Sequence, residues 1–231
     1  MIATPAQLAS ATSSSALLDQ ALATATGLLL LTAVLQLWRK SLNGSIALLA
    51  IQGGALAALV AVVARLEGEP ELALVAVLVF AIKAVAIPVA MRRTADRVHA
   101  AQESTPRINP TAGLLWSAAL MTIAYLAARP LVGIDPTPLQ RSVPVGLALV
   151  LLGFLILLTR RLAISQMVGF VVLDNGIATI AFLTAGGVPL VVEFGVMLDV
   201  LLVVLILTVL TDRMRSSFGH TDLDDLRELR D

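Results

Sequence analysis

Apolar residues run along this chain in seven blocks, each separated from the next by a short cluster of Arg, Glu, Pro or Gly. The blocks cover about 19–38, 44–64, 70–91, 111–132, 144–159, 164–184 and 189–211. A helix needs roughly 20 mostly apolar residues to cross about 30 Å of hydrocarbon. The pattern therefore predicts an all-α polytopic membrane protein with seven transmembrane helices, the fifth being the shortest. Arg129 followed by Pro130 is expected to end or kink the fourth helix. The opening stretch, MIATPAQLASATSSSALLDQ, has no Lys or Arg ahead of its apolar run, unlike a secretory signal peptide. It is expected to be a short polar leader, retained ahead of the first span.

The charges between the blocks give an orientation. With seven spans, one side collects Arg39, Lys40, Arg92, Arg93, Arg97, Arg107, Arg160, Arg161, Arg213, Arg215, Arg227 and Arg230. The other collects Arg65, Arg129 and Arg141 with Glu67, Glu69 and Glu71. The positive-inside rule makes the first side cytoplasmic, which puts the N-terminus outside and the C-terminus in the cytoplasm. The chain also reads as two halves. Residues 1–110 hold three spans and a cytoplasmic linker, and 111–231 hold four spans and a cytoplasmic tail, 212–231. The hairpins 41–93 and 161–213 share one plan, a basic end, an outer turn with Gly and Pro, and a second basic end.

Composition sharpens the class. Hydrophobic residues make up 58% of the 231 and charged ones 14%, where a soluble domain carries about a quarter. Mean hydropathy is +0.92. With no cysteine, this chain alone offers no disulfide, thiolate metal site or iron–sulfur ligand. The two histidines, His99 and His220, lie in polar segments, which leaves no paired membrane histidines for haem. Zero net charge, with no basic stripe or interleaved aromatics, argues against nucleic acid as a partner.

The remaining candidates for chemistry are the polar residues inside the spans. An ionisable side chain at the centre of a membrane helix costs roughly 2.5–3.5 kcal/mol and turns toward protein or a water cavity. At about 1.5 Å per residue, Asp174 lies about 15 Å, Asp199 about 18 Å, and Lys83 and Gln52 about 12 Å from the cytoplasmic edge. Four polar side chains on four helices thus share one layer. Glu193 lies about 6 Å from the outer edge, and its six-residue separation from Asp199 turns it about 240° around the helix. The two acids of this span face different neighbours.

Burial disfavours the charged form of an acid or an amine, so such groups suit a proton or ion relay. Competing structural readings stand beside this one. Asp174 as interhelical glue has Asn175 and Gln166 at hand, Lys83 is long enough to snorkel to the cytoplasmic face, Gln52 suits helix glue, and Glu193 suits an interfacial contact with a neighbouring subunit. Pro88 is expected to bend the third span and free carbonyls that water could bind.

At the second hairpin the pattern acquires a family. QMVGFVVLDNGI, then GVPLVVEFGVMLDVLLVVLILTVL, then a tail ending in HTDLDDLRELRD resemble the hydrogenase-4 component E family. The C-terminal part of that family is similar to the small K subunit of bacterial complex I. FAIKAVAIPVAMRR, with Lys83 and Pro88, matches the first half of the component E pattern. On this resemblance Asp174 and Asp199 take the places of two mid-helix glutamates of the K subunit, each one methylene shorter.

The resemblance implies a membrane-arm subunit of a complex I-like or group 4 NiFe hydrogenase assembly of the formate hydrogenlyase type, in a bacterial or archaeal cytoplasmic membrane. The subunit is non-catalytic by itself and belongs to an oxidoreductase complex. Its implied partners are antiporter-like and complex I H-subunit-like membrane subunits, a cytoplasmic hydrogenase-like module, and lipid. Any NiFe site and iron–sulfur clusters belong to those partners, with no cofactor in this chain. The implied relay is Asp174, Asp199, Lys83 and Glu193, supported by Gln52, Asn175 and Gln166, and it moves protons or sodium. Two alternatives remain: a subunit of a multisubunit cation/proton antiporter, and an assembly scaffold whose acids only tie helices together.

Overall fold

A computed structural model describes residues 5–39, 41–98, 109–134, 137–160 and 162–185. Among these, six helices are long and apolar enough to span a membrane: Ala16–Trp38, Leu42–Glu67, Pro70–Asp96, Pro110–Pro130, Pro138–Thr159 and Ile164–Thr184. The expected seventh span, 189–211, with Glu193 and Asp199, lies outside the described residues.

The helices are α1 (Pro5–Trp38), α2 (Leu42–Glu67), α3 (Pro70–Val79), α4 (Ile87–Val98), α5 (Pro110–Ile134), α6 (Pro138–Thr159) and α7 (Ala163–Ala185). A π-helical turn, Phe80–Ala86, joins α3 to α4, so these three pieces form one continuous span. Local chemistry sets the boundaries. α2 stops at Gly68, whose φ of 73° is left-handed, a conformation that glycine adopts without a Cβ penalty. Pro70 then opens α3 at a position where its missing N–H costs nothing.

Three sequence expectations change. The polar leader is helical from Pro5 and continuous with α1. Pro130 does not end α5, which runs on to Ile134. The fifth span starts at Pro138, six residues before the expected 144, because Thr137 caps it by accepting from the Gln140 N–H at 3.3 Å.

Among the described helices α2, α6 and α7 are the most buried and form the middle of the bundle, whereas α5 is largely exposed. The largest interface between described helices joins α6 to α7, and glycines permit it. A Cβ on Gly153 would lie 2.5 Å from the Leu173 nitrogen, and one on Gly176 would lie 2.6 Å from the Val150 nitrogen. In lipid, where apolar surface gains little from leaving the solvent, such close backbone packing is a main source of helix association. It fixes α7, and with it Asp174, against α6.

Several buried hydroxyls donate to carbonyls of their own helices, although the buried Ser165 hydroxyl has no such partner among the described residues. Thr26 donates to the Leu22 carbonyl at 2.8 Å and Thr179 to the Asn175 carbonyl at 2.7 Å, as bilayer interiors require. Arg160, at the end of α6, is buried and donates through Nη2 to the carbonyls of Gln36 (2.5 Å) and Arg39 (2.8 Å). Its charge thus rests on the carbonyl end of α1, where the helix dipole is negative. The α1–α2 and α6–α7 turns therefore share one end of the bundle.

Candidate functional site

Pro88 shapes the backbone that carries Lys83. In a regular α-helix the N–H of residue 88 would reach the Ala84 carbonyl, but proline has no N–H and its ring collides with that carbonyl. One extra residue in the preceding turn relieves the collision. The Ile87 N–H then bonds to the Ile82 carbonyl, a five-residue step. The π-turn that results has Lys83 at its centre.

From there Lys83 Nζ donates to Asp174 Oδ2 at 2.5 Å and to Asn175 Oδ1 at 3.0 Å, both on α7. Asn175 Nδ2 donates to Gln52 Oε1 on α2 at 3.1 Å, and Gln52 Nε2 donates to the Leu29 carbonyl on α1 at 3.2 Å. One polar chain therefore crosses four helical segments. It is sealed from its surroundings: Gln52 and Asn175 are 0% exposed, Lys83 3% and Asp174 7%.

The order of donors and acceptors is fixed along this chain. Lys83 has only donors, so Asn175 must present its oxygen to Lys83 and its nitrogen to Gln52. Gln52 must then present its oxygen to Asn175 and its nitrogen to Leu29. The two amides hold the lysine by directed dipoles, while Asp174 supplies the opposite charge. An ion pair in low dielectric is costly to desolvate and strongly attractive. Moving one proton from the ammonium to the carboxylate neutralises both partners without moving a heavy atom far. The arrangement suits charge transfer through the middle of a membrane.

Four of the sequence candidates thus come together: Lys83, Asp174, Asn175 and Gln52. Lys83 does not snorkel; it is buried against α7. Gln166 stands apart, donating to the Arg160 carbonyl at 3.1 Å in the α6–α7 turn. Glu193 and Asp199 lie outside the described residues. Sequence reasoning missed Gly53, next to Gln52, although the Gln-Gly-Gly run at 52–54 marks a place where α2 can be approached closely. It also missed the burial of Arg160, whose position between two apolar blocks suggests a solvated loop charge.

Fold and site together define a polytopic helical membrane protein with an ion pair buried among its helices. Comparison with known proteins gives its family. The chain is 43% identical over 208 residues to Uncharacterized protein Rv0085 of Mycobacterium tuberculosis, covering 90% of this chain and 94% of that protein. It belongs to the family of that mycobacterial protein. It is also 24% identical over 204 residues to hydrogenase-4 component E of Escherichia coli and of Shigella flexneri, covering 88% of this chain and 94% of theirs. No family model matches the chain, and no solved structure matches it.

Proposed function

We propose that this protein is a membrane-arm subunit of a complex I-like, group 4 hydrogenase-type assembly, in which it takes part in moving protons or sodium. The observation that carries this reading is the buried Lys83–Asp174 pair. Its support is the full-length similarity to hydrogenase-4 component E. Redox chemistry, with any NiFe site and iron–sulfur clusters, belongs to partner subunits. Ion movement passes through Lys83 and Asp174, with Asn175 and Gln52 holding the lysine. Asp199 continues the path on a seventh span, and Glu193 serves as an outer entry or a contact with a neighbour.

The N-terminus faces outside and the C-terminus the cytoplasm of a bacterial or archaeal plasma membrane. The bond from Arg160 to Arg39 supports this orientation, since it brings two of the arginine-bearing turns to one end. Purification of the tagged chain from mild detergent tests the assembly. The expected companions are antiporter-like and complex I H-like membrane subunits together with a cytoplasmic hydrogenase-like module. Recovery with antiporter subunits alone would favour the cation/proton antiporter reading instead.

The polar chain also favours a second reading, a scaffold, because it ties four helical segments through side chains and one backbone carbonyl. Ion movement that persists after Asp174 is neutralised would select it.

A further inference from the structure

The spacing of buried positions along the third span slips at the lysine. Leu72, Val75, Ala76 and Val79 form one buried stripe, and Ile87, Pro88, Met91, Thr94 and Ala95 form another. Within each stripe the period is that of an α-helix, but from Val79 through Lys83 to Ile87 and Pro88 the steps lengthen to four residues or more. One extra residue in a turn rotates the rest of the helix by about 100°. Both stripes face the bundle only because the π-turn absorbs that rotation, and Lys83 sits at the point of slip.

The same turn leaves a carbonyl without its helical donor. At five-residue spacing the donor to the Lys83 carbonyl would be residue 88, which is proline, and the Ile87 N–H is already given to Ile82. α2 closes directly over this spot. A Cβ on Gly53 would lie 2.5 Å from both the carbonyl carbon and the oxygen of Lys83, and 2.7 Å from the Ala84 nitrogen. These are backbone atoms, so no side-chain rotation makes room. Gln52, the adjacent residue, meanwhile holds Asn175, which holds the Lys83 ammonium.

We propose that Gly53 and Pro88 are positioning residues for the Lys83–Asp174 pair. Pro88 imposes the π-turn, and Gly53 provides the gap in α2 into which its backbone seats, so that the ammonium meets Asp174. A methyl group at position 53 pushes the π-turn off α2 and carries Lys83 away from α7. An N–H at position 88 lets the turn revert to α-helix, which rotates Lys83 relative to α4. The functional weight of this device rests on the relay reading above, whereas its geometry does not.

Carbodiimides modify protonated carboxyls, so labelling of Asp174, read by mass spectrometry on the full chain in its membrane complex, reports whether the pair is closed. An opposite charge within hydrogen-bond reach covers a carboxylate and holds it in its charged form, which carbodiimides do not modify. Lys83→Met is therefore expected to raise the Asp174 labelling rate about tenfold or more over the native chain. Gly53→Ala and Pro88→Ala are expected to raise it similarly, and to move its pH profile toward that of Lys83→Met, with the companion subunits still co-purifying.

Pro88→Ala adds no bulk, and it decides the matter if Gly53→Ala does not assemble. Native-like protection of Asp174 in an assembled Gly53→Ala chain, or in Pro88→Ala, overturns the role of that residue. If both variants expose Asp174 while Lys83→Met leaves ion movement intact, the positioning stands and the relay reading falls.

Discussion

Lys83 and Asp174 stabilise each other only as a pair, and that sets what single replacements do. Lys83→Met leaves a buried carboxylate without its counter-charge, and breaking a buried pair from one side costs about 3–5 kcal/mol. The double replacement Lys83→Met with Asp174→Leu removes both charges and is expected to recover most of that loss. Thermal unfolding of the detergent-solubilised chain checks this; equal losses in the single and double variants would mean that the pair contributes nothing as a pair. Gln52→Leu removes a neutral link instead. Interhelical hydrogen bonds in membranes average about 0.6 kcal/mol, with a maximum near 1.7, so its cost is expected to fall well below that of Lys83→Met in the same measurement.

At the scale of the element, the glycines of α6 and α7 divide from those that packing does not require. Gly153 meets the Leu173 backbone at 2.5 Å, so Gly153→Val forces the hairpin apart. Overpacking of this kind costs about 1–3 kcal/mol. Gly27 on α1 is exposed with nothing within 4 Å of an added Cβ, and Gly27→Ala is expected to stabilise by about 0.5–1 kcal/mol through helix propensity. Unfolding curves of the two variants should therefore move in opposite directions.

This contrast also marks how far the sequence is legible. Apolar block length alone locates all six described spans, because the bilayer thickness is a hard constraint. It also places Lys83, Asp174 and Gln52 in one layer, because rise per residue converts position to depth. Rotation about the helix axis is harder to read. Near-uniform apolar faces blur the period that would say which glycine faces which helix. The π-turn is encoded in Pro88 and in the slip of the buried stripe, yet that slip shows only once burial is known. Pro130 lies in a helix that simply continues past it, so proline alone does not announce such a turn. Arg160 misled for a related reason: it lies in a turn, but the α1 carbonyl end gives it a buried place.

At the scale of the molecule, α7 is where the bundle's packing and its charge meet. Glycine contacts to α6 fix its position, and Asp174 and Asn175 turn from it toward α2 and the π-turn. A pair held so firmly suits a step in which charge moves and the helices stay in place. The full-length similarity to hydrogenase-4 component E supports a membrane-arm role in a complex I-like assembly. The most direct test is ion movement in sealed vesicles that carry the complete complex with Asp174→Asn, measured while redox turnover is followed in the same sample. With a relay at Asp174, turnover continues and ion uptake falls to background. Ion uptake at the native rate per turnover would contradict it.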